Sequence, residues 1–174
     1  MKMRSTFPTL LVLLLATTIA TTQPSSATAP DHGSTAFGQG EFFHIVRRET
    51  WRFSFEATAN KKGHARGRAT FDIVKDSTET QVIVRIDCLK VETFEGGASA
   101  IMSGTVLHSD NPDFPKGAGV FFDADDNSGL PTIHADLIAP LFLTELFQSE
   151  GDCHDLGLLL TAFFVSPDAI TIVP

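Results

Sequence analysis

The residues whose spacing comes nearest to a chemistry are Asp123, Asp125 and Asn127, within Asp123-Ala124-Asp125-Asp126-Asn127-Ser128-Gly129. Oxygen donors at positions one, three and five are what a calcium loop presents, because a hard cation gathers carboxylates and carbonyls. The complete loop also wants glycine at position six and a bidentate glutamate at position twelve. Those places hold Ser128 and His134. The set is a weak calcium candidate, and an acidic β-turn accounts for the same residues. No other cofactor is indicated. The six histidines (His32, His44, His64, His108, His134, His154) include no close pair with metal-ligand spacing. Catalytic patterns are equally thin. Gly96-Gly97-Ala98-Ser99-Ala100 lacks the closing glycine of a nucleophile elbow. There is no P-loop and no dinucleotide fingerprint.

The remaining reactive side chains are two cysteines, Cys88 and Cys153, and their chemistry depends on compartment. Residues 10–20 form an apolar run behind Lys2 and Arg4 and ahead of small residues, the order of a secretory signal peptide. The run is too short for a membrane-spanning helix. Ala27-Thr28-Ala29 has the small-x-small form of a cleavage site, although Pro30 beyond it is a poor first residue. The expected organisation is a leader over 1–29, a flexible lead over 30–36 and a β domain over 37–174. A secreted or extracytoplasmic protein can oxidise its cysteines, so a Cys88–Cys153 disulfide is expected.

Composition narrows the partners. Without Lys2 and Arg4, eleven basic residues face 21 acidic ones, and ten of the eleven lie between Arg47 and Lys90. An acidic chain whose basic segment lacks interleaved aromatics is a poor nucleic-acid binder. With no tyrosine and the single tryptophan Trp51, it also lacks the aromatic girdles of an outer-membrane barrel. Its phenylalanines read as core.

The elements that must position these residues alternate with period two. Trp51, Phe53, Phe55, Ala57 and Ala59 alternate with polar neighbours, as do Ala65, Gly67, Ala69, Phe71 and Ile73. A three-residue loop at Lys61-Lys62-Gly63 sets Phe53 opposite Phe71, Phe55 opposite Ala69, Arg52 opposite Asp72 and Glu56 opposite Arg68. Apolar pairs and opposite charges thus agree on one register. The next strand is expected at 80–89, with Val82, Val84, Ile86 and Cys88 inward. A four-residue loop Asp76–Glu79 would place Ile73 opposite Val82, Arg68 opposite Asp87 and Cys88 near Gly67. Further strands are expected at about 40–46, 98–108, 117–124, 132–138 and 169–173. Residues 139–148 read equally as a short helix after Pro140 or as an extended apolar segment. The fold class is all-β, a single antiparallel barrel or sandwich of about seven to nine strands.

Four groups of residues stand in order along the chain. They are Ala65-x-Gly67-x-Ala69-Thr70-Phe71; Asp87-Cys88-Leu89-Lys90-Val91 with Ala100-Ile101-Met102-Ser103-Gly104; Asn111-Pro112-Asp113-Phe114-Pro115-Lys116-Gly117 before Asp126-Asn127; and Asp152-Cys153 with Ala169-Ile170-Thr171-Ile172-Val173. In this order they resemble an uncharacterised family of small secreted bacterial β-domain proteins. The resemblance covers most of 50–174. It implies an all-β fold and a Cys88–Cys153 bridge, and it supplies neither an activity nor catalytic residues. Ser128 departs from the Asp-Asn-Gly turn more usual there.

The reading that follows is a secreted non-enzymatic β domain, a binding or interaction module for a protein or small-molecule partner. One alternative is a small apolar ligand carrier, with Phe53, Phe55, Phe71, Val82, Val84 and Ile86 lining a cavity. The other is an enzyme, a hydrolase or isomerase, whose site the fold assembles from distant residues.

Overall fold

The computed structural model describes residues 33–60, 64–132, 135–147, 153 and 162–174. The fold is all-β. The strands are β1 (Thr35–His44), β2 (Glu49–Ala59), β3 (His64–Lys75), β4 (Thr78–Phe94), β5 (Gly97–Ser109), β6 (Gly119–Asp126), β7 (Leu137–Ile138), β8 (Phe142–Leu143), β9 (Phe163–Phe164) and β10 (Ile170–Val173). They form one antiparallel sheet in the order β10-β1-β2-β3-β4-β5-β6-β7-β9, with β8 also paired to β6. The sheet curls into a half-barrel. The segment after Pro140 resolves into both of its expected forms: the short β8 and then a 3-10 turn over Thr144–Phe147. β1 begins at Thr35 rather than near residue 40 and ends at His44. Ile45 and Val46, expected inside that strand, stand in the turn beyond it.

The β2–β3 register is the expected one: Phe53↔Phe71, Phe55↔Ala69, Arg52↔Asp72 and Glu56↔Arg68. The loop Lys61-Lys62-Gly63 lies outside the described residues. Register does not fix ion pairs, however. Arg52 bonds Glu79, and Asp72 accepts from Gln81 Nε2 at 2.7 Å.

The β3–β4 register corrects the expectation by two residues. Ile73 faces Thr80, Phe71 faces Val82 and Arg68 faces Arg85. The turn is Asp76-Ser77 alone, both at positive φ (48° and 68°). That pair of left-handed residues makes the two-residue hairpin whose twist matches its strands. A shift of two preserves the faces, so Val82, Val84 and Ile86 are buried as expected. Cys88 is not near Gly67 but opposite His64, beyond an irregularity in β3. It also leaves the inner face. The β4–β5 ladder slips between Ile86 and Cys88. Such a bulge inverts the alternation, and Leu89 takes the inner side instead. Gly104 opposite Ile86 permits the close approach, because a Cβ there would lie 1.9 Å from the Arg85 carbonyl oxygen.

The core lies inside the curl. Phe53, Phe55, Phe71, Phe122, Met102, Val82, Val84 and Ile86 are all buried. Phe122 meets Phe71 and Phe55 edge-on, with ring centroids 5.2 and 5.6 Å apart. β1 contributes little bulk at its centre for a steric reason. A Cβ on Gly38 would stand 2.8 Å from the Phe55 ring, and one on Gly40 would stand 3.0 Å from Phe53.

Where β10 approaches β6 and β7, the contact is made by carboxylates rather than a strand ladder. Asp136 accepts from Ile170 N at 2.9 Å and from Asn127 N at 3.0 Å. Asp126 accepts from Ile172 N at 3.2 Å. Adjacent strand amides point to opposite sides, so these two amides are the ones β1 does not use.

Candidate interaction site at the β1–β2 end

The acidic stretch 123–126 belongs to β6 rather than to a loop. Asp123 and Asp125 share the outer face, alternating with the buried Phe122 and Ala124. Asn127 is a strut: its side-chain amide donates to the Ala135 carbonyl at 3.0 Å. The one-three-five spacing is here the alternation of a strand. Among the described residues, no group of three or more His, Cys, Asp or Glu is placed to hold a metal. His134 lies outside them.

Asp125 is nevertheless perturbed. Burial pushes its carboxyl above the ordinary range; Ser99, opposite it on β5, works against this, and Asp136 adds to it. One of its oxygens is buried without a hydrogen-bond partner among the described residues. A raised folded-state value means that ionisation costs stability, and the cost grows as pH rises through that value. Asp125→Asn is therefore expected to raise the thermal midpoint at pH 7 by about one to two degrees. The gain should shrink as pH falls and vanish below the unfolded carboxyl's 3.8. Calorimetry across pH checks this, and a midpoint lowered at pH 7 would contradict it.

Cys88 and Cys153 form the expected disulfide, with Cα atoms 5.8 Å apart. The bridge sits on the outer face with Ile101, Phe121 and the half-buried Phe142, a small second core. His154 lies outside the described residues.

Several polar side chains converge at the end where β1 turns into β2. Glu49 is buried, and its carboxylate accepts from Trp51 Nε1 and Lys75 Nζ, each at 3.1 Å. Trp51 fills the core, edge-on to Phe71 and Phe114, and Glu49 satisfies its one polar atom. His44 packs its ring on Phe163 at 5.0 Å and near Trp51 at 6.1 Å. Burial and then Arg47 hold its imidazole below the ordinary value, so it is neutral at pH 7. Its Nδ1 accepts from Arg47 N at 3.3 Å, which leaves the proton on Nε2. Arg47 pairs with Asp113 at 2.6 Å. A cavity of about 90 Å³ lies between His44, Arg47, Trp51, Asp113, Phe114 and Leu141. It has room for a few waters. Larger hollows, such as the 630 Å³ groove along Phe37, Gln39, Ser54, Glu56 and Arg68, are open and shallow.

Beyond this framework stands the turn 45–48. Arg48 N donates to the His44 carbonyl at 2.8 Å, and Arg48 closes the turn at φ 57°. A non-glycine residue there carries strain. The residues held out are apolar: Ile45 is 73% exposed and Val46 88%, with Phe43 beside them at 54%. Arg47 and Arg48 follow directly and are exposed. A turn of Ile-Val-Arg-Arg without Gly, Pro, Asn or Asp is unusual chemistry for a hairpin. That absence is the sequence signal for the site, and it is masked because Ile and Val also suit a strand.

No helix among the described residues is long and apolar enough to cross a membrane. Compared with protein-family models, curated proteins and solved structures, the chain matches none.

Proposed function

We propose that this protein is a secreted, non-enzymatic β domain that engages a partner outside the cytoplasm through its β1–β2 end. The observation that carries the reading is the apolar tip, Ile45 and Val46, projected by a hydrogen-bonded turn instead of being folded back. Soluble domains seldom expose neighbouring large apolar side chains unless something covers them. The Cys88–Cys153 bridge, the leader-like run at 10–20 and the likeness to secreted β-domain proteins support an oxidising compartment. Mutual packing of Phe53, Phe55, Phe71, Val82, Val84 and Ile86 favours a filled interior over a carrier's cavity.

Site-directed cross-linking tests the reading. A photoreactive residue at position 46, incubated with the envelope and secreted fractions of the source cell, is expected to label a discrete species. The same probe at Thr93, at the opposite end of the sheet, should not label it. Equal labelling from both positions would remove the assignment of the site.

A further inference from the structure

The shape and charge of the tip identify the partner's chemistry more closely. We propose that the β1–β2 turn docks on an anionic lipid surface, inserting Ile45 and Val46 while Arg48 meets the headgroups. The proposal rests on the reading of this end as the contact site.

Three observations favour lipid over a protein pocket. First, the apolar surface is a convex point of two or three side chains, Ile45, Val46 and Phe43. A stable protein interface buries roughly 800 Å² on each partner, which a four-residue turn cannot supply alone. A bilayer conforms to a point and needs no matching cavity. Second, Arg47 and Arg48 follow Ile45 and Val46 in the same exposed turn, so cationic and apolar side chains are presented together, the combination an interfacial segment uses. Arg47 is partly neutralised by Asp113. Arg48 forms no ion pair with any described residue, so its charge is the one free to meet a phosphate. Third, the turn holds its shape without help. The amides of Arg47 and Arg48 are satisfied by His44 within the turn. Shallow entry therefore need not strip water from those two amides, a loss that lipid penalises strongly.

The test uses the purified full chain and two vesicle types, one of phosphatidylcholine alone and one of phosphatidylcholine mixed with phosphatidylglycerol. The protein should sediment with the mixed vesicles and much less with the neutral ones, and added salt should weaken it. Ile45→Asp combined with Val46→Asp should lower the partition coefficient by roughly tenfold or more. Arg48→Glu should lower it on mixed vesicles only. Phe94→Asp, at another exposed phenylalanine (42%) at the far end of the sheet, should leave it unchanged. Thermal midpoints of all variants establish that each is folded. No sedimentation with either vesicle overturns the lipid proposal, as does undiminished binding by the double aspartate variant. Equal binding to both vesicles overturns the part assigned to anionic headgroups. If vesicles fail but position 46 cross-links to a discrete protein, the site stands and the lipid falls. If both fail, the reading of the site falls too.

Discussion

Asp136→Ala is expected to lower the unfolding free energy by about 3–5 kcal/mol. Asp136 is 1% exposed, and its side-chain hydrogen bonds among the described residues are to backbone amides, not to a cation. Its carboxylate takes the backbone amides of Asn127 and Ile170, which come from separate parts of the chain. Alanine would leave two buried N–H groups without acceptors, each costing about 1–3 kcal/mol. It would also unfasten β10 from the far side of the curl. Asp136→Asn keeps the shape and one acceptor, so it should cost about half as much. Urea unfolding measures the loss, and hydrogen exchange at the Ile170 amide localises it. A loss under about 1 kcal/mol for the alanine variant would show that other groups satisfy these amides.

Removing the disulfide should cost a comparable amount. Cys88 and Cys153 are 65 residues apart in sequence. Closing a loop of that length restricts the unfolded chain by about 4 kcal/mol in the entropy model. Replacing both cysteines with alanine is expected to lose about that much, plus a smaller packing term for the cluster of Ile101, Phe121 and Phe142. The core inside the curl should survive, because Cys88 lies outside it. Denaturant titration of the double variant, against the reduced and oxidised parent, checks both statements. A change below about 1 kcal/mol would mean that the unfolded chain is already restricted without the bridge.

Particular residues show what the sequence made legible. The β2–β3 hairpin was readable because side-chain size and charge sign constrain the same register independently, from Arg52 to Phe71. The β3–β4 turn is ambiguous in sequence because Asp-Ser-Thr-Glu offers several polar residues, of which only the first two adopt the left-handed conformation. The faces survived the error because the slip was even. The face of Cys88 is lost to a different irregularity, the β4–β5 bulge: alternation cannot reveal it when both Cys88 and Leu89 are apolar, and the hint lies on the neighbouring strand at Gly104. The tip is indistinguishable from strand in sequence because β-branched residues satisfy a strand pattern wherever they stand. Asp136 left no trace at all. Its partners are nine and 34 residues away, and a single carboxylate between Ala135 and Leu137 has no spacing to interpret.

The placement of β10 also orders assembly in time. From β1 to β6 each strand pairs with its successor, so those ladders can form by short, local closures. β1 must then hold one edge open until the other end of the chain arrives, since Thr35 lies opposite Val173. Contacts of such sequence separation form slowly, because the intervening chain must be gathered first. The Cys88–Cys153 bridge changes that search. Once it forms, the late segment is tethered to β4, and only the stretch from Cys153 to Ile170 remains to be positioned. Oxidation before docking thus makes the final closure a short one.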